Sequence, residues 1–188
     1  AMFGWLASFG MHSRARSIPT TRWLSITPRT LVEGLGQLGG VLYLAPRSAA
    51  CPLLDNTPSA CLVESADLAR LLATRYVGLT CAITAEGPRE WIDCVGGQGE
   101  ALARIYLLPD TDYLAWDGLF VDATPVDAPD RELQGREWLR ASRARVLSFT
   151  RRRLVGFTVL GARDVLISSL GRGVARDIAV SESVGIAV

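Results

Sequence analysis

The pattern of apolar positions predicts a helix and a strand near the start of the chain, and a second helix after them. Thr27 and Pro28 favour a helix start, because threonine caps the first turn and proline fits its first position. Up to the glycine pair 39–40, apolar side chains recur at helical spacing at Leu31, Val32, Leu35 and Leu38. Residues 41–44 are typical of a strand. A second helix is predicted from about Ser65, with one face formed by Leu68, Leu71, Leu72 and Tyr76.

Three extended segments follow, and their turns predict an antiparallel sheet. They span 79–85, 89–95 and 101–108, and a glycine-rich turn at 96–99 joins the last two as a hairpin. In the last segment, one face is predicted to carry Ala101, Ala103, Ile105 and Leu107, and the other Leu102, Arg104, Tyr106 and Leu108. Both faces need cover, and one helical layer covers only one of them, so either a partner chain or the C-terminal segment 123–188 is expected to cover the other.

The rest of the chain divides into a third helix, a polar connection and an arginine-rich segment. The third helix is predicted to begin at Pro109 and Asp110, with an aromatic stripe that we interpret as core packing, formed by Tyr113, Trp116 and Phe120. After residues 122–130, the segment 131–153 contains eight arginines. We interpret it as a solvent-exposed helix face, with an anion-binding or nucleic-acid-binding patch as the alternative. Short strands and a helix over 170–178 are predicted to follow.

Composition excludes several classes of protein. With 49% apolar and 21% charged residues and a mean hydropathy of +0.23, the 188 residues contain enough apolar material for one packed domain. All 20 basic residues are arginine, which excludes chemistry that needs a lysine. His12 is the single histidine, which excludes a Ser-His-Asp triad or a histidine-rich metal site in the rest of the sequence.

The cysteines form no CxxC pair, so neither a zinc site nor a disulfide framework is predicted. They are Cys51, Cys61, Cys81 and Cys94. No run approaches 18 consecutive apolar residues, so no membrane span is predicted. The apolar-then-basic residues 1–22 lack the pattern of a signal peptide, and we expect a cytoplasmic protein.

A strand, a glycine-rich turn and a second strand precede a helix within residues 91–120. The turn ends at Gly99, the second strand reads Ala-Leu-Ala-Arg-Ile-Tyr-Leu over 101–107, and the helix contains the pair Ala-Trp at 115–116. This arrangement resembles the repeat unit of the bacterial hemin-degrading and hemin-transport proteins of the HemS/HmuS type. Residues 31–48 are similar to that family's helix ending in Leu-Gly and to the strand and turn after it.

The resemblance covers about residues 23–122, one half of a two-half protein, with a leader at 1–22 and a C-terminal extension at 123–188 outside it. It implies an α+β fold of the haem-iron-utilisation-protein-like type, an antiparallel β-sheet flanked by helices. We expect the Arg-rich extension, which lies outside the resemblance, to pack on the same domain. In this family two halves pack together in one chain, or two single-half chains of the ChuX/HutX type pair. A homodimer is therefore implied for this chain.

The resemblance also implies haem as the ligand, although the family's histidine ligands are absent. Ala103 and Arg104 stand where the family has histidine and lysine, and the position of its haem-ligating histidine falls near Leu54. The remaining candidates for an iron ligand are Tyr43, Tyr76, Tyr106, a cysteine and Met11. Arg47 and Arg104 match basic positions, and the resemblance implies that they hold the haem propionates. The alternative for both arginines is a surface ion pair, with Asp55, Glu90 or Asp93.

We therefore expect a protein of haem-utilisation type that binds or carries haem, another tetrapyrrole or another anionic ligand, without haem-degrading chemistry. The expected cofactor-binding residues are Arg47, Arg104, Tyr43 and Tyr106. No catalytic residue and no metal ligand is predicted. The alternative is a nucleic-acid or protein interaction module that uses the arginine-rich segment 131–153. A net charge of only +1 makes nucleic acid the weaker of these partners.

Overall fold

The structure is a computed structural model, and it describes residues 19–46, 60–129 and 141–187. In these residues one ten-stranded sheet is accompanied by three α-helices and one 3₁₀ helix. The strands are β1 (Thr20–Ser25), β2 (Gly39–Pro46), β3 (Cys61–Val63), β4 (Tyr76–Thr84), β5 (Gly87–Val95), β6 (Ala101–Thr111), β7 (Thr124–Pro125), β8 (Ala141–Leu154), β9 (Phe157–Asp164) and β10 (Ile186–Ala187). The α-helices are α1 (Pro28–Leu35), α2 (Tyr113–Gly118) and α3 (Ser169–Ser181), and the 3₁₀ helix is Ala66–Ala73.

The strands follow the order β3-β9-β8-β2-β6-β5-β4-β1-β7, with β10 beside β8. Within the described residues the parallel pairs are β3 with β9 and β10 with β8, and the other neighbours are antiparallel. The α+β architecture and the hairpin of β5 and β6 predicted from the sequence are confirmed. Strands after residue 123 lie in the same sheet as those before it, because β8 pairs with β2.

Helix α1 begins where the sequence predicts. The Thr27 hydroxyl accepts a hydrogen bond from the Thr30 amide at 3.1 Å, and Pro28 is the first helical residue. The second predicted helix is the 3₁₀ helix, and it ends before Tyr76, which begins β4 instead. Both helices turn leucines into the core of the sheet's first face.

The predicted helix start at Pro109 and Asp110 is wrong, since both residues belong to β6. A register shift between β2 and β6 accommodates the proline, which has no N–H for the sheet ladder. Thr111 holds this stretch by accepting from the Leu108 amide and donating to a β2 carbonyl. Helix α2 then begins at Tyr113. Of the predicted aromatic stripe, Trp116 and Phe120 are buried and Tyr113 is exposed.

The helix interpretation of the arginine-rich segment is also wrong for its described part. Residues 130–140 lie outside the described residues, and from Ala141 to Leu154 the chain is strand β8, which pairs with β2 on one side and β9 on the other. Its apolar residues are buried on both faces of the sheet, at Ala144 and Val146 on one and Leu147 and Phe149 on the other. A strand that is covered on both faces lacks the alternation of apolar and polar residues that identifies a strand from its sequence. The prediction for this segment therefore depends on its arginines alone.

The sheet has a core on each face. The core of the first face includes Ile92, Ile105 and Leu147 and is covered by α1, α2 and the 3₁₀ helix. The core of the second face joins α3 to β2, β6 and β8 through Leu42, Leu44, Tyr106, Leu108, Val146, Ala175, Ile178 and Ala179. Helix α3 lies where the sequence predicts a helix, and it supplies cover for the second face.

A β-bulge changes the predicted alternation at the start of β6. The register with β5 shifts between Cys94 and Val95, so that Leu102 packs with the first core and Ala101 with the second. From Ala103 onwards the predicted faces are correct. No helix in the described part of the chain has the length and apolar character needed to cross a membrane.

Candidate functional site

Arg104 and Tyr106 lie two positions apart on β6, so both side chains project from the second face of the sheet. The register with β5 places Asp93 opposite Arg104 and Trp91 opposite Tyr106. Four side chains of different chemistry therefore meet on two neighbouring strands.

Asp93 binds the guanidinium group of Arg104 through both carboxylate oxygens. Arg104 Nε donates to Oδ1 at 2.6 Å, Nη2 donates to Oδ2 at 3.4 Å, and Trp91 Nε1 donates to Oδ2 at 3.0 Å. Both charged side chains are largely buried, and a two-pronged pair in such a setting is less screened than one at the surface. This is one of the ion pairs that the sequence offers as the alternative for Arg104.

Glu182 reaches the same guanidinium group from the C-terminal end of α3. Arg104 Nη1 donates to Glu182 Oε1 at 3.0 Å, and the Tyr106 hydroxyl donates to the same oxygen. The Glu182 side chain is only 18% exposed, so solvent screens this contact only in part. Two donors on one strand thus converge on a single carboxylate oxygen, which is the geometry of a carboxylate-binding site.

Aromatic rings flank the guanidinium group. The Arg104 Cζ atom lies 5.3 Å from the centroid of the Trp91 ring and 6.0 Å from that of the Tyr106 ring. The two rings are themselves 5.5 Å apart and inclined by 44°. These cation–π and ring contacts fix the guanidinium plane, so its donors keep their direction.

Burial and charge act in opposite directions on the ionisable groups of this cluster. Burial raises the pKa of Asp93, and the charge and hydrogen bonds of Arg104 offset only part of the rise. Burial lowers the pKa of Arg104, but the neighbouring Asp93, Tyr106 and Glu182 outweigh it and the net pKa is raised. Burial also raises the pKa of Tyr106 well above its usual value. At neutral pH, Arg104 is therefore a cation and Tyr106 a neutral donor.

The other two residues expected from the sequence lie elsewhere. Tyr43 is buried on the first face, on the opposite side of the sheet from Arg104. Its ring packs edge-on against Phe149 at 5.9 Å, and its hydroxyl donates to the Asp67 carbonyl at 3.3 Å. Arg47 lies outside the described residues. The structure therefore brings together Arg104 and Tyr106, and it does not bring Tyr43 to them.

Trp91 and Glu182 appear neither among the expected binding residues nor among the ion-pair partners that the sequence offers for Arg104. Trp91 was detectable in principle, because the predicted hairpin already places residues near 91 opposite residues near 106. Glu182 had no such signal, since only the packing of α3 carries it to β6. Among the described residues no three or more His, Cys, Asp or Glu side chains are grouped so as to hold a metal ion.

No protein-family model matches the sequence, and no curated protein shows a significant match to it. Among solved structures, the heme degrading enzyme ChuS of Escherichia coli O157:H7 aligns over 59% of this chain and 39% of its own, with a TM-score of 0.41 and 18% identity. A structure of ChuS described as an E. coli heme oxygenase aligns over 61% and 38%, with a TM-score of 0.41 and 18% identity.

Holo-PhuS, a heme-binding protein from Pseudomonas aeruginosa, aligns over 60% of this chain and 40% of its own. Its TM-score is 0.35 and its identity 19%. The chain spans about two fifths of the length of each of these proteins.

Proposed function

We propose that this chain is a binding protein without enzymatic activity, and that its ligand is a planar molecule bearing carboxylates, of which a haem-type tetrapyrrole is the example. The observation that carries the proposal is the convergence of Arg104 Nη1 and the Tyr106 hydroxyl on one carboxylate oxygen. In the structure that oxygen belongs to Glu182, so an internal carboxylate occupies the position that a ligand carboxylate would take.

Exchange of Glu182 for a ligand carboxylate keeps the charge balance of the cluster. Arg104 retains its pair with Asp93, and its Nη1 group passes from one carboxylate to another, so no buried charge is left without a partner. Glu182 is suited to leave because it caps the last turn of α3 and Ser183 follows it in a left-handed turn with φ 56°. Displacing it disturbs the end of the helix and leaves the apolar contacts of α3 in place.

The residues present fit the periphery of a haem better than its iron. Trp91 is only partly buried and offers ring surface beside the guanidinium group, the buried Tyr106 offers its hydroxyl, and Arg104 offers the donors for a propionate. Tyr106 is a poor iron ligand because burial raises the pKa of its hydroxyl and keeps it protonated. We therefore assign the binding energy to the carboxylates and the ring stacking, with Arg104 and Tyr106 as the contact residues.

The homodimer implied by the resemblance stays part of the proposal. Helix α3 covers the second face over β2, β6 and β8, whereas the β1 side of that face presents Trp23, whose ring lies over Gly78. Gly78 is in turn opposite Asp93, so this surface borders the proposed site. A second copy is proposed to cover it, which would add a wall to the ligand site.

An absorbance titration with hemin tests the proposal. Glu182→Gln, which removes the competing charge, is expected to bind hemin several-fold more tightly than the unchanged chain, and Arg104→Gln several-fold more weakly. The matched control is Asp177→Asn, an exposed carboxylate on the same helix that lies 4.0 Å from Arg89.

Two further ligands separate carboxylate recognition from iron ligation. Iron-free protoporphyrin is expected to bind about as well as hemin, and the dimethyl ester of hemin, which has no free carboxylate, is expected to bind poorly. Equal affinity for hemin and its ester, or no response of hemin affinity to Glu182→Gln, would refute the proposed site.

A further inference from the structure

The hairpin formed by β8 and β9 ends in a two-residue turn whose first residue, Val155, is unusual for its backbone conformation. Leu154 pairs with Phe157, and Val155 and Gly156 between them both have positive φ, 44° and 85°. Positive φ suits glycine but is costly for a β-branched residue such as valine. The Val155 side chain is also 91% exposed, so no packing within the described residues accounts for its presence there.

The apolar surface at this turn is larger than one residue. Leu154 is 59% exposed, and Phe157, directly opposite it, shares its face of the hairpin and is also exposed. Leu62 on the neighbouring strand β3 lies on this same face, because it pairs with Val159, two positions from Phe157. Four apolar side chains thus form an exposed group at one end of the sheet, which marks a contact site rather than a scattered surface residue.

Three arginines stand directly behind this apolar turn. Arg151, Arg152 and Arg153 are exposed, and the sequence has no acidic residue from 151 to 157. Side chains alternate along a strand, so Arg151 and Arg153 lie on one face of the hairpin and Arg152 on the other. The ion pair of Arg152 with Glu64, at 3.7 Å between exposed side chains, is too weak to neutralise this charge.

We propose that this hairpin tip, residues 151–157, docks onto a membrane surface that contains anionic lipid. In that arrangement Leu154, Val155 and Phe157 enter the boundary between head groups and acyl chains, and the arginines remain at the level of the anionic head groups. The placement of the residues favours lipid over nucleic acid, because the apolar side chains are at the tip of the hairpin and the arginines lie behind them. A phosphate backbone would meet the apolar turn first and gain nothing from it.

This surface shares no residue with the proposed carboxylate site, so the two proposals fail or succeed separately. The test is flotation of the full chain with vesicles of phosphatidylcholine, with or without phosphatidylglycerol. We expect binding to the anionic vesicles, weaker binding in high salt and little binding to the neutral ones. No preference for anionic vesicles would overturn the proposal.

Two sets of variants assign the binding to the hairpin tip. The pair Leu154→Ser and Phe157→Ser, and separately the triple Arg151→Gln, Arg152→Gln and Arg153→Gln, are each expected to reduce vesicle binding at least several-fold. All five side chains are exposed, so the fold should survive, which circular dichroism checks. The matched control is Leu114→Ser, an 85% exposed leucine on α2, which should bind like the unchanged chain.

An equal loss in the Leu114→Ser control, or vesicle binding that neither set of variants weakens, would contradict the assignment. Duplex DNA or RNA provides the remaining comparison. Arginine-dependent binding to nucleic acid without binding to anionic vesicles would show that the charges serve a different partner, and the membrane proposal would then be wrong.

Discussion

Arg104 and Glu182 are 78 positions apart in the sequence, and a hydrogen bond of 3.0 Å joins Nη1 of the first to Oε1 of the second. The bond connects a central strand of the sheet to the last turn of α3, which packs on that strand. It therefore has two roles in our interpretation: it holds the end of α3 in place, and it keeps a carboxylate in the position that we propose for a ligand.

The first role predicts a loss of stability in Glu182→Ala. The substitution leaves Arg104 Nη1 and the Tyr106 hydroxyl without their shared acceptor, and a hydrogen bond to a charged group contributes about 1.5–3 kcal/mol. We expect the free energy of unfolding in urea to fall by an amount in that range. The control Asp177→Ala removes an exposed carboxylate from the same helix and should cost about 0–1 kcal/mol. Similar losses in both variants would mean that removing any carboxylate from α3 lowers the stability, and that the contacts of Glu182 with Arg104 and Tyr106 contribute nothing further.

The pKa of Asp93 predicts how stability depends on pH. Because burial raises this pKa in the folded protein, the folded state keeps a proton that the unfolded state releases at about pH 4. The stability that this group contributes is fully present below about pH 4 and is lost as the pH rises through the folded pKa. The free energy of unfolding of the unchanged chain should therefore fall with rising pH relative to Asp93→Asn.

Urea unfolding of both proteins, from below about pH 4 upwards, measures the difference between their free energies of unfolding. The contributions of the other carboxylates cancel in this difference because both proteins share them. The opposite result would be a free energy of unfolding that rises with pH in the unchanged chain relative to Asp93→Asn. It would show that the pair with Arg104 outweighs burial and lowers the pKa of Asp93.

Local patterns in the sequence account for the part of the candidate site that lies on β5 and β6. The hairpin of β5 and β6 follows from two extended segments and a glycine-rich turn, and it brings Asp93 close to Arg104 and Trp91 close to Tyr106. Glu182 does not follow from any such pattern. It depends on where α3 packs across β2, β6 and β8, which is a property of the whole sheet.

Other differences between prediction and structure also have non-local causes. Pro109 is a strong helix-start signal, but the register shift with β2 and the hydrogen bonds of Thr111 keep it in a strand. The arginine-rich sequence of β8 suggests an exposed helix because the apolar residues of this strand are buried on both faces of the sheet. They therefore do not show the apolar–polar alternation by which a strand is recognised. The position of Leu102 on the first face depends on a bulge opposite Cys94 and Val95 that no propensity indicates.

The absence of histidine beyond His12 predicts the spectrum of a haem complex. We expect the complex to lack the low-spin features of bis-imidazole ligation, because the proposed site offers carboxylate and ring contacts. His12→Ala should leave both the spectrum and the affinity unchanged. Tight binding that disappears in this variant would place the iron ligand in the leader and outside the proposed site.

The proposed second copy predicts a dimer whose interface is on the Trp23 side of the second face. Light scattering of the full chain at tens of micromolar should give twice the monomer mass of 20.3 kDa. Thr21→Arg places a charge on that face and should yield monomers, whereas Thr20→Arg, its exposed neighbour on the other face, should leave the dimer intact. A monomer in the unchanged chain would mean that α3 alone covers the second face.

The turn of the β8–β9 hairpin predicts a substitution that stabilises the protein. Val155 is held at φ 44°, and the sequence Asn-Gly is favoured where both turn residues have positive φ. Val155→Asn should therefore raise the free energy of unfolding by about 1 kcal/mol, because it removes a strained backbone state of a β-branched residue. Leu154→Asn, one position earlier in the extended strand, should give no such gain. Because the apolar turn is proposed to enter the membrane, Val155→Asn should at the same time weaken binding to anionic vesicles. A variant that is less stable than the unchanged chain would show that the valine is not strained.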